Sequence, residues 1–471
     1  MQALGQPIPA SPHAVSVSLP TWADVVGYEE GDPRVLARLT AGYPRFVFNR
    51  YVAAARHAAS AAHGAPGEDS LVFPSARVAE DCAAFLRAGA AAARVRPWRG
   101  LHATVFAAAA LPRAKAFWQH AGAVVSSRRA EAALGGRPDA PGGAAARETL
   151  RRRVAAVVGA DPAEVFLFPS GMAAIAAAHA AAVGRRPGRR TVQVGFPYVD
   201  TLKLQEKLGP GVLGFLAAGD EARLAAALRA EPVAALFTEV PANPLLQSPD
   251  LDALRDLARA HDAVLVVDDS INTFTAHDLT AHADLLVASL TKYFAGSGDV
   301  MAGVLVCSPR SPLRAELAAR VRAGFEDLLF GADAVRLEEV SRDFAARVRR
   351  ASATAAALCE ALRGHPRVER VYYPTLEQPE RYRRCLRPGG GAGGVFSLLV
   401  QDAPAVYDRL EVAKGPSFGM NVTLACPYTL LAHYQELDWA AACGIPRDLI
   451  RVSVGLEDAA ELTRAFARAL G

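Results

Sequence analysis

The feature that most restricts this chain is an alternation between about residues 146 and 290. Short, almost wholly apolar runs are separated by helical patterns. The runs are VFLFP (165–169), TVQVGF (191–196), VAALFTEV (233–240), AVLVVDD (263–269) and DLLVASL (284–290). Between them lie a helix pattern starting near Ser170, another at 221–230, and LDALRDLARAHD; ARETLRRRVAAVVG precedes the first run. Strands apolar on both faces, joined by amphipathic helices, predict an α/β fold with a mostly parallel, doubly wound sheet. After it come a helical stretch at about 334–363, mixed strands (VERVYYP, GGVFSLLV, LIRVSVG) and a closing helix, AAELTRAFARAL, which predict a smaller α+β domain. Before it, residues 1 to about 50 are Pro-rich and read as an arm. Residues 51–65 read as helical, 68–110 mix apolar runs with helical patterns, and 131–145 read as a loop or link. The expected organisation is an N-terminal arm and extension (1–145), a large ligand-binding domain (146–333) and a C-terminal domain (334–471).

Composition excludes several classes of protein. With 51% hydrophobic and 21% charged residues the chain can bury a large core and is not disordered. A net charge of +4 without a basic block excludes a nucleic-acid-coating protein. The six cysteines are scattered without a Cys-x-x-Cys pair, and the histidines form no ligand set, so no metal site is expected. His277 and His282 read as surface or loop residues. No apolar run is long enough to span a bilayer, and the N-terminal stretch lacks the pattern of a secretory signal; a soluble, cytoplasmic protein is expected. Five of the 52 basic residues are lysine, at 115, 203, 207, 292 and 414. Arginine cannot replace lysine where an amine must lose its proton and attack a carbonyl. Lys203 and Lys207 fall on a helix pattern, and Lys115 and Lys414 read as ordinary surface charges.

Four features stand where a parallel sheet holds its ligand, beyond the carboxyl ends of its strands. Ser170-Gly171-Met172 follows VFLFP, where a capped helix start can offer N–H groups to a phosphate. Alone it is more often an ordinary strand-to-helix turn. Asp268-Asp269 ends AVLVV; such acids usually cap the next element, but a buried one can hold a ring nitrogen protonated. Ser289-Leu290-Thr291-Lys292 ends DLLVA, where a lysine is normally a surface residue; desolvated, it can form a Schiff base. Arg451, in LIRVSVG, is ordinarily half-exposed, yet a guanidinium is the preferred clamp for a carboxylate. Together the four supply what a pyridoxal-phosphate enzyme acting on an amino acid requires.

The wording around these positions resembles the Cys/Met-metabolism family of pyridoxal-phosphate enzymes, of the aspartate-aminotransferase-like fold type I. The resemblance is carried by Ala288-Ser289-Leu290-Thr291-Lys292-Tyr293, by Gly296 and Asp299-Val300-Met301-Ala302-Gly303, and by Glu239-Val240-Pro241-Ala242-Asn243-Pro244. Further stretches, such as GYPRF, AKAFWQH, FPYVDTLKLQEKLGPG, LACPYTLLAH and LIRVSVGLED, resemble the longer, fungal-type cystathionine γ-synthases. The resemblance implies pyridoxal 5′-phosphate as cofactor. It implies that Lys292 forms the Schiff base and moves protons, that Asp268 pairs with the pyridine nitrogen, and that Gly171, Met172, Ser289 and Thr291 hold the phosphate. It further implies that Tyr198 stacks on the ring and helps proton transfer, that Asn243 lies near the phenolic oxygen, and that Arg451 and Ser417 face the substrate. Tyr43 and Arg45 would reach the phosphate in a neighbouring subunit, giving a homodimer or homotetramer with shared active sites. The chain departs from common members at Phe46-Val47-Phe48-Asn49, at Asp269 and at Pro416.

The implied reaction is γ-replacement on an O-acyl-L-homoserine with cysteine as nucleophile. Other readings are γ-substitution with a different nucleophile in specialised metabolism, a cystathionine or methionine γ-lyase, and a non-catalytic scaffold on the same fold. All but the last imply small-molecule amino-acid substrates, with no nucleic-acid or membrane partner.

Overall fold

The computed structural model describes residues 2–217 and 219–471. Its N-terminal part is more ordered than the arm and mixed segment read from the sequence. Pro7–Ile8 (β1) pairs antiparallel with Ser16–Val17 (β2). The helix Trp22–Glu30 follows, opened by a reciprocal cap between Thr21 and Asp24 and closed by Gly31 at φ 73°. Glu68–Phe73 (β3), Ala93–Trp98 (β4) and Leu101–Ala107 (β5) form an antiparallel sheet in the order β3-β5-β4. Both of its faces are covered. Leu71 and Phe73 pack with Val78, Cys82 and Leu86 of the helix Ala76–Ala88. Val72 points the other way, to Val52 and Ala55 of the helix Arg50–His63. Apolar residues on both sides erase the period-2 alternation that would have marked these strands.

The alternating middle of the chain forms a seven-stranded sheet from Val165–Phe168 (β6), Thr191–Val194 (β7), Val212–Leu216 (β8), Ala235–Glu239 (β9), Val264–Asp268 (β10), Leu285–Ser289 (β11) and Gly303–Cys307 (β12). The order is β6-β12-β11-β10-β9-β7-β8. All pairings are parallel except those of β12, which runs antiparallel to β11 and β6. Along β10, Leu265 and Val267 enter one apolar cluster while Val264 and Val266 enter another on the opposite face. This is the two-sided burial expected of a doubly wound sheet.

Val368–Tyr372 (β13), Val395–Val400 (β14), Ala413–Lys414 (β15), Leu424–Pro427 (β16) and Ile450–Ser453 (β17) make a second sheet, ordered β13-β14-β17-β16-β15. The helices Phe344–Arg363 and Ala459–Leu470 pack on it through Leu358, Leu362, Leu462 and Phe466. The single helical stretch expected at 334–363 is two helices, Gly331–Val340 and Phe344–Arg363, separated at Ser341. Two expectations about surface residues are corrected here. Lys414 is buried and donates through Nζ to the carbonyls of Pro20 (2.9 Å) and Asp408 (3.0 Å), tying the N-terminal segment to the C-terminal sheet. His277 is also buried, its ring edge-on to Tyr382.

Candidate active site

The carboxyl ends of β6, β9, β10 and β11 open toward one place. Register sets Asp268 opposite Glu239 on β9 and opposite Val287 on β11, so the acids and the Ser289–Lys292 turn converge. After β6, Ser170 caps the helix Gly171–Arg185: its Oγ accepts from Ala173 N (3.1 Å) and donates to the Gly122 carbonyl (2.7 Å). Among the described residues the N–H groups of Gly171 and Met172 meet no protein acceptor. A Cβ on Gly171 would lie 2.8 Å from Ser289 Cβ, so only glycine lets the end of β11 approach the helix start this closely. The result is a cradle of free N–H groups beside a serine, at the positive end of a helix.

Lys292 is buried, and its Nζ donates to Ser417 Oγ at 3.0 Å. The amine also lies 4.4 Å from the Tyr43 ring centre and 4.8 Å from that of Phe418. Burial is the main cause that holds its pKa below the ordinary lysine value, with the charges of Arg451 and Arg45 acting in the same direction. Burial alone would push the Tyr43 phenol up; Lys292 and Arg45 beside it overcome that and hold it below its usual value. Ser417 adopts φ 101°, a region that favours glycine, and its carbonyl accepts from Arg451 at 2.6 Å. Arg451, on β17, also reaches Asn243 Oδ1 at 3.4 Å and lies over the Tyr428 ring.

On the opposite wall Asp268 accepts the Ser270 N–H at 2.8 Å, and burial pushes its carboxyl up to about 6. Glu239 is raised further, to about 8, by burial and then by the Asp268 charge. Its carboxylate accepts from the backbone N–H of Tyr198 (2.5 Å) and of Asn243 (3.5 Å). Arg45 is fully buried. It donates to Asp200 Oδ2 (2.5 Å), the Tyr198 hydroxyl (2.5 Å) and the Gln119 carbonyl (3.0 Å). Asp200 accepts in addition from Gln119 (2.9 Å) and lies 3.2 Å from His120 Nδ1.

These groups enclose one cavity of about 630 Å³, within the size range of small-molecule sites. Of the residues expected at the site, Tyr43, Arg45, Gly171, Met172, Tyr198, Asn243, Asp268, Ser289, Lys292, Ser417 and Arg451 all line it. Thr291 does not: its Oγ1 donates to the Ala302 carbonyl (3.2 Å) and accepts the Ala302 N–H (3.1 Å), bracing the start of β12. Tyr43 and Arg45, expected to reach the phosphate in a neighbouring subunit, both line this cavity, with Arg45 held by Asp200 and the Gln119 carbonyl. Glu239 and Asp200 were not singled out from the sequence, although each lies inside a stretch that carried the resemblance. A lone acid at a strand end or helix start reads as a cap. Among the described residues no three His, Cys, Asp or Glu side chains are placed to hold a metal ion, and no helix is long and apolar enough to cross a membrane.

A family model described as a Cys/Met metabolism PLP-dependent enzyme matches residues 124–471, and one described as a fungal trans-sulfuration enzyme N-terminal domain matches residues 51–126. The chain is 35% identical to cystathionine gamma-synthase of Neurospora crassa, over 99% of this chain and 98% of the relative. It is 36% identical to the L-2-amino-4-chloropent-4-enoate dechlorinase/desaturase of Streptantibioticus cattleyicolor, over 98% and 97% respectively. Among solved structures, cystathionine gamma synthase from Xanthomonas oryzae, in complex with aminoacrylate and cysteine, superposes with a TM-score of 0.60 at 26% identity. That match covers 69% of this chain and 85% of the other. With the cradle, the buried lysine and the flanking carboxylate and guanidinium in one cavity, these matches establish that the chain belongs to the Cys/Met-metabolism family of PLP-dependent enzymes, of the cystathionine γ-synthase type.

Proposed function

We propose that the chain catalyses γ-replacement on an O-acyl-L-homoserine, with the thiol of cysteine as nucleophile and cystathionine as product. One observation carries the reading: the buried Lys292 amine shares a cavity with the Asp268 carboxylate and the Arg451 guanidinium. The residues present fit pyridoxal 5′-phosphate. The unpartnered N–H groups of Gly171 and Met172 beside Ser289 suit its phosphate, and Asp268 suits its pyridine nitrogen. When bound, the cofactor supplies an electron sink that acidifies the Cα–H bond of an amino acid.

The chain's own groups do the rest. Lys292, its pKa lowered, is free to take the Cα proton and return it. Arg451 binds the substrate α-carboxylate, oriented by the Ser417 carbonyl and Asn243. Tyr198, whose hydroxyl is tethered to Arg45 and Asp200, holds or passes a proton on the substrate side. Small-molecule amino-acid substrates and assembly into two or four copies belong to the same reading. The similarity to the dechlorinase/desaturase, as high as that to the Neurospora enzyme, supports a second reading: γ-chemistry on another substrate or with another nucleophile.

Product identification by mass spectrometry tests both. O-acetyl- or O-succinyl-L-homoserine plus cysteine is expected to give cystathionine, and Lys292→Ala to abolish both turnover and the visible absorbance of the cofactor-loaded protein. Breakdown of cystathionine supplied alone, with none formed from acyl-homoserines, would overturn the first reading.

A further inference from the structure

The cavity that holds Lys292 is lined by three carboxylates: Glu29, Glu239 and Asp268. Two of them are engaged at its inner end. Glu239 accepts the Tyr198 and Asn243 N–H groups, and Asp268 accepts the Ser270 N–H. Glu29 is different. It lies in the last turn of the helix Trp22–Glu30 and, among the described residues, has neither a hydrogen-bond donor nor a counter-charge. Lys115 lines the same cavity without forming an ion pair with it. Burial, the one cause acting on the group, pushes its carboxyl up to about 7.

The last turn of a helix is the wrong end for an anion, since its carbonyls already carry partial negative charge. Local structure therefore does not favour a glutamate here; both the helix end and the carboxylate favour a cation. The lining of the cavity also includes the apolar side chains of Leu36, Leu39, Phe46, Val47 and Leu431. Pro416, next to Ser417, adds no charge. A partly buried carboxylate with neither donor nor counter-charge lacks a partner that a ligand can supply.

We propose that Glu29 receives the ammonium group of the second substrate, so that this cavity selects a nucleophile that is itself an amine-bearing molecule, of the α-amino-acid class. The inference rests on γ-replacement for the existence of a second substrate. It assigns to the N-terminal segment the choice of nucleophile, while Arg451 and the inner end of the cavity serve the first substrate.

The test compares L-cysteine with 3-mercaptopropionate, which keeps thiol and carboxylate but lacks the amine. In Glu29→Gln the KM for cysteine should rise about tenfold, the effect of losing one charge-assisted hydrogen bond. The KM for the acyl-homoserine and the activity with 3-mercaptopropionate should stay as in the wild type, and Glu29→Asp should restore part of the loss. An unchanged KM for cysteine, or equal losses with both thiols, would overturn the proposal. A second arm needs no turnover. Calorimetric binding to holoenzyme reduced with borohydride should weaken for cysteine in Glu29→Gln and stay constant for 3-mercaptopropionate; equal binding of cysteine by both proteins would overturn it. Failure of every acyl-homoserine to react would sink the γ-replacement reading, and the binding arm would still decide Glu29.

Discussion

At the scale of single residues, Glu239 carries a pH signature. Its carboxyl lies at about 8 in the folded chain against an ordinary value of 4.5, raised by burial and then by Asp268. The folded state thus binds a proton that the unfolded state releases between those values, and stability falls as pH rises through that window. Glu239→Gln cannot ionise. Thermal unfolding of the cofactor-free protein from pH 5 to 8 should therefore show a shallower decline in the variant, with the gap widest near pH 8. Parallel curves would show that Glu239 is already charged at pH 5. Arg451→Lys offers a second residue-scale outcome. The ammonium cannot keep both the Ser417 contact and a two-point grip on a carboxylate, so the KM for the first substrate should rise about tenfold or more with a smaller change in kcat. Lys292, Asp268 and Arg451 were legible in the sequence because each sits in a short, chemically unusual phrase at a strand end or in a strand. Glu239 was not, because its role depends on the facing Asp268, a pairing set by sheet register.

At the scale of elements, the junction between β11 and the helix Gly171–Arg185 decides whether the phosphate cradle exists. An added methyl at Gly171 meets Ser289 Cβ at 2.8 Å and its Cα at 3.1 Å, so strand and helix must separate. Gly171→Ala should cost about 1–3 kcal/mol by overpacking, and reconstitution of the apoprotein with pyridoxal 5′-phosphate should weaken. Unaltered cofactor affinity in a folded variant would show that this helix start does not hold the phosphate. The strands flanking this junction were readable as continuous apolar runs. VLGFL (β8) and GVLVC (β12) carry no such signal, because each is short and glycine interrupts one and opens the other. The β3-β5-β4 sheet was obscured by burial on both faces, and Thr291 by a backbone contact that only the start of β12 provides.

At the scale of the whole molecule, the N-terminal segment crosses from the C-terminal sheet, where Lys414 ties it at Pro20, to the mouth of the cavity and then to the inner site through Tyr43 and Arg45. The resemblance placed both residues at the site of a neighbouring subunit, an assignment that depends on the path of the intervening chain. Arg45 is buried against Asp200 and the Gln119 carbonyl, a charge pair whose separation costs about 3–5 kcal/mol, so the segment is held rather than loosely apposed. Complementation measures the consequence. Lys292→Ala and Arg45→Ala chains, each shown to be folded, are co-expressed in equal amounts and purified together, without separating mixed from unmixed dimers. If every site uses its own Arg45, no combination rebuilds an intact site, and the mixture stays as inactive as its parents. If the segment is exchanged between subunits, random pairing of two chains gives half of the mixed dimers' sites both a lysine and an arginine, and activity recovers to about a quarter of the wild type. The contacts of Arg45 predict the first result. The second would mean that the same Arg45–Asp200 pair forms across the interface, with Glu29 then selecting the nucleophile for its neighbour.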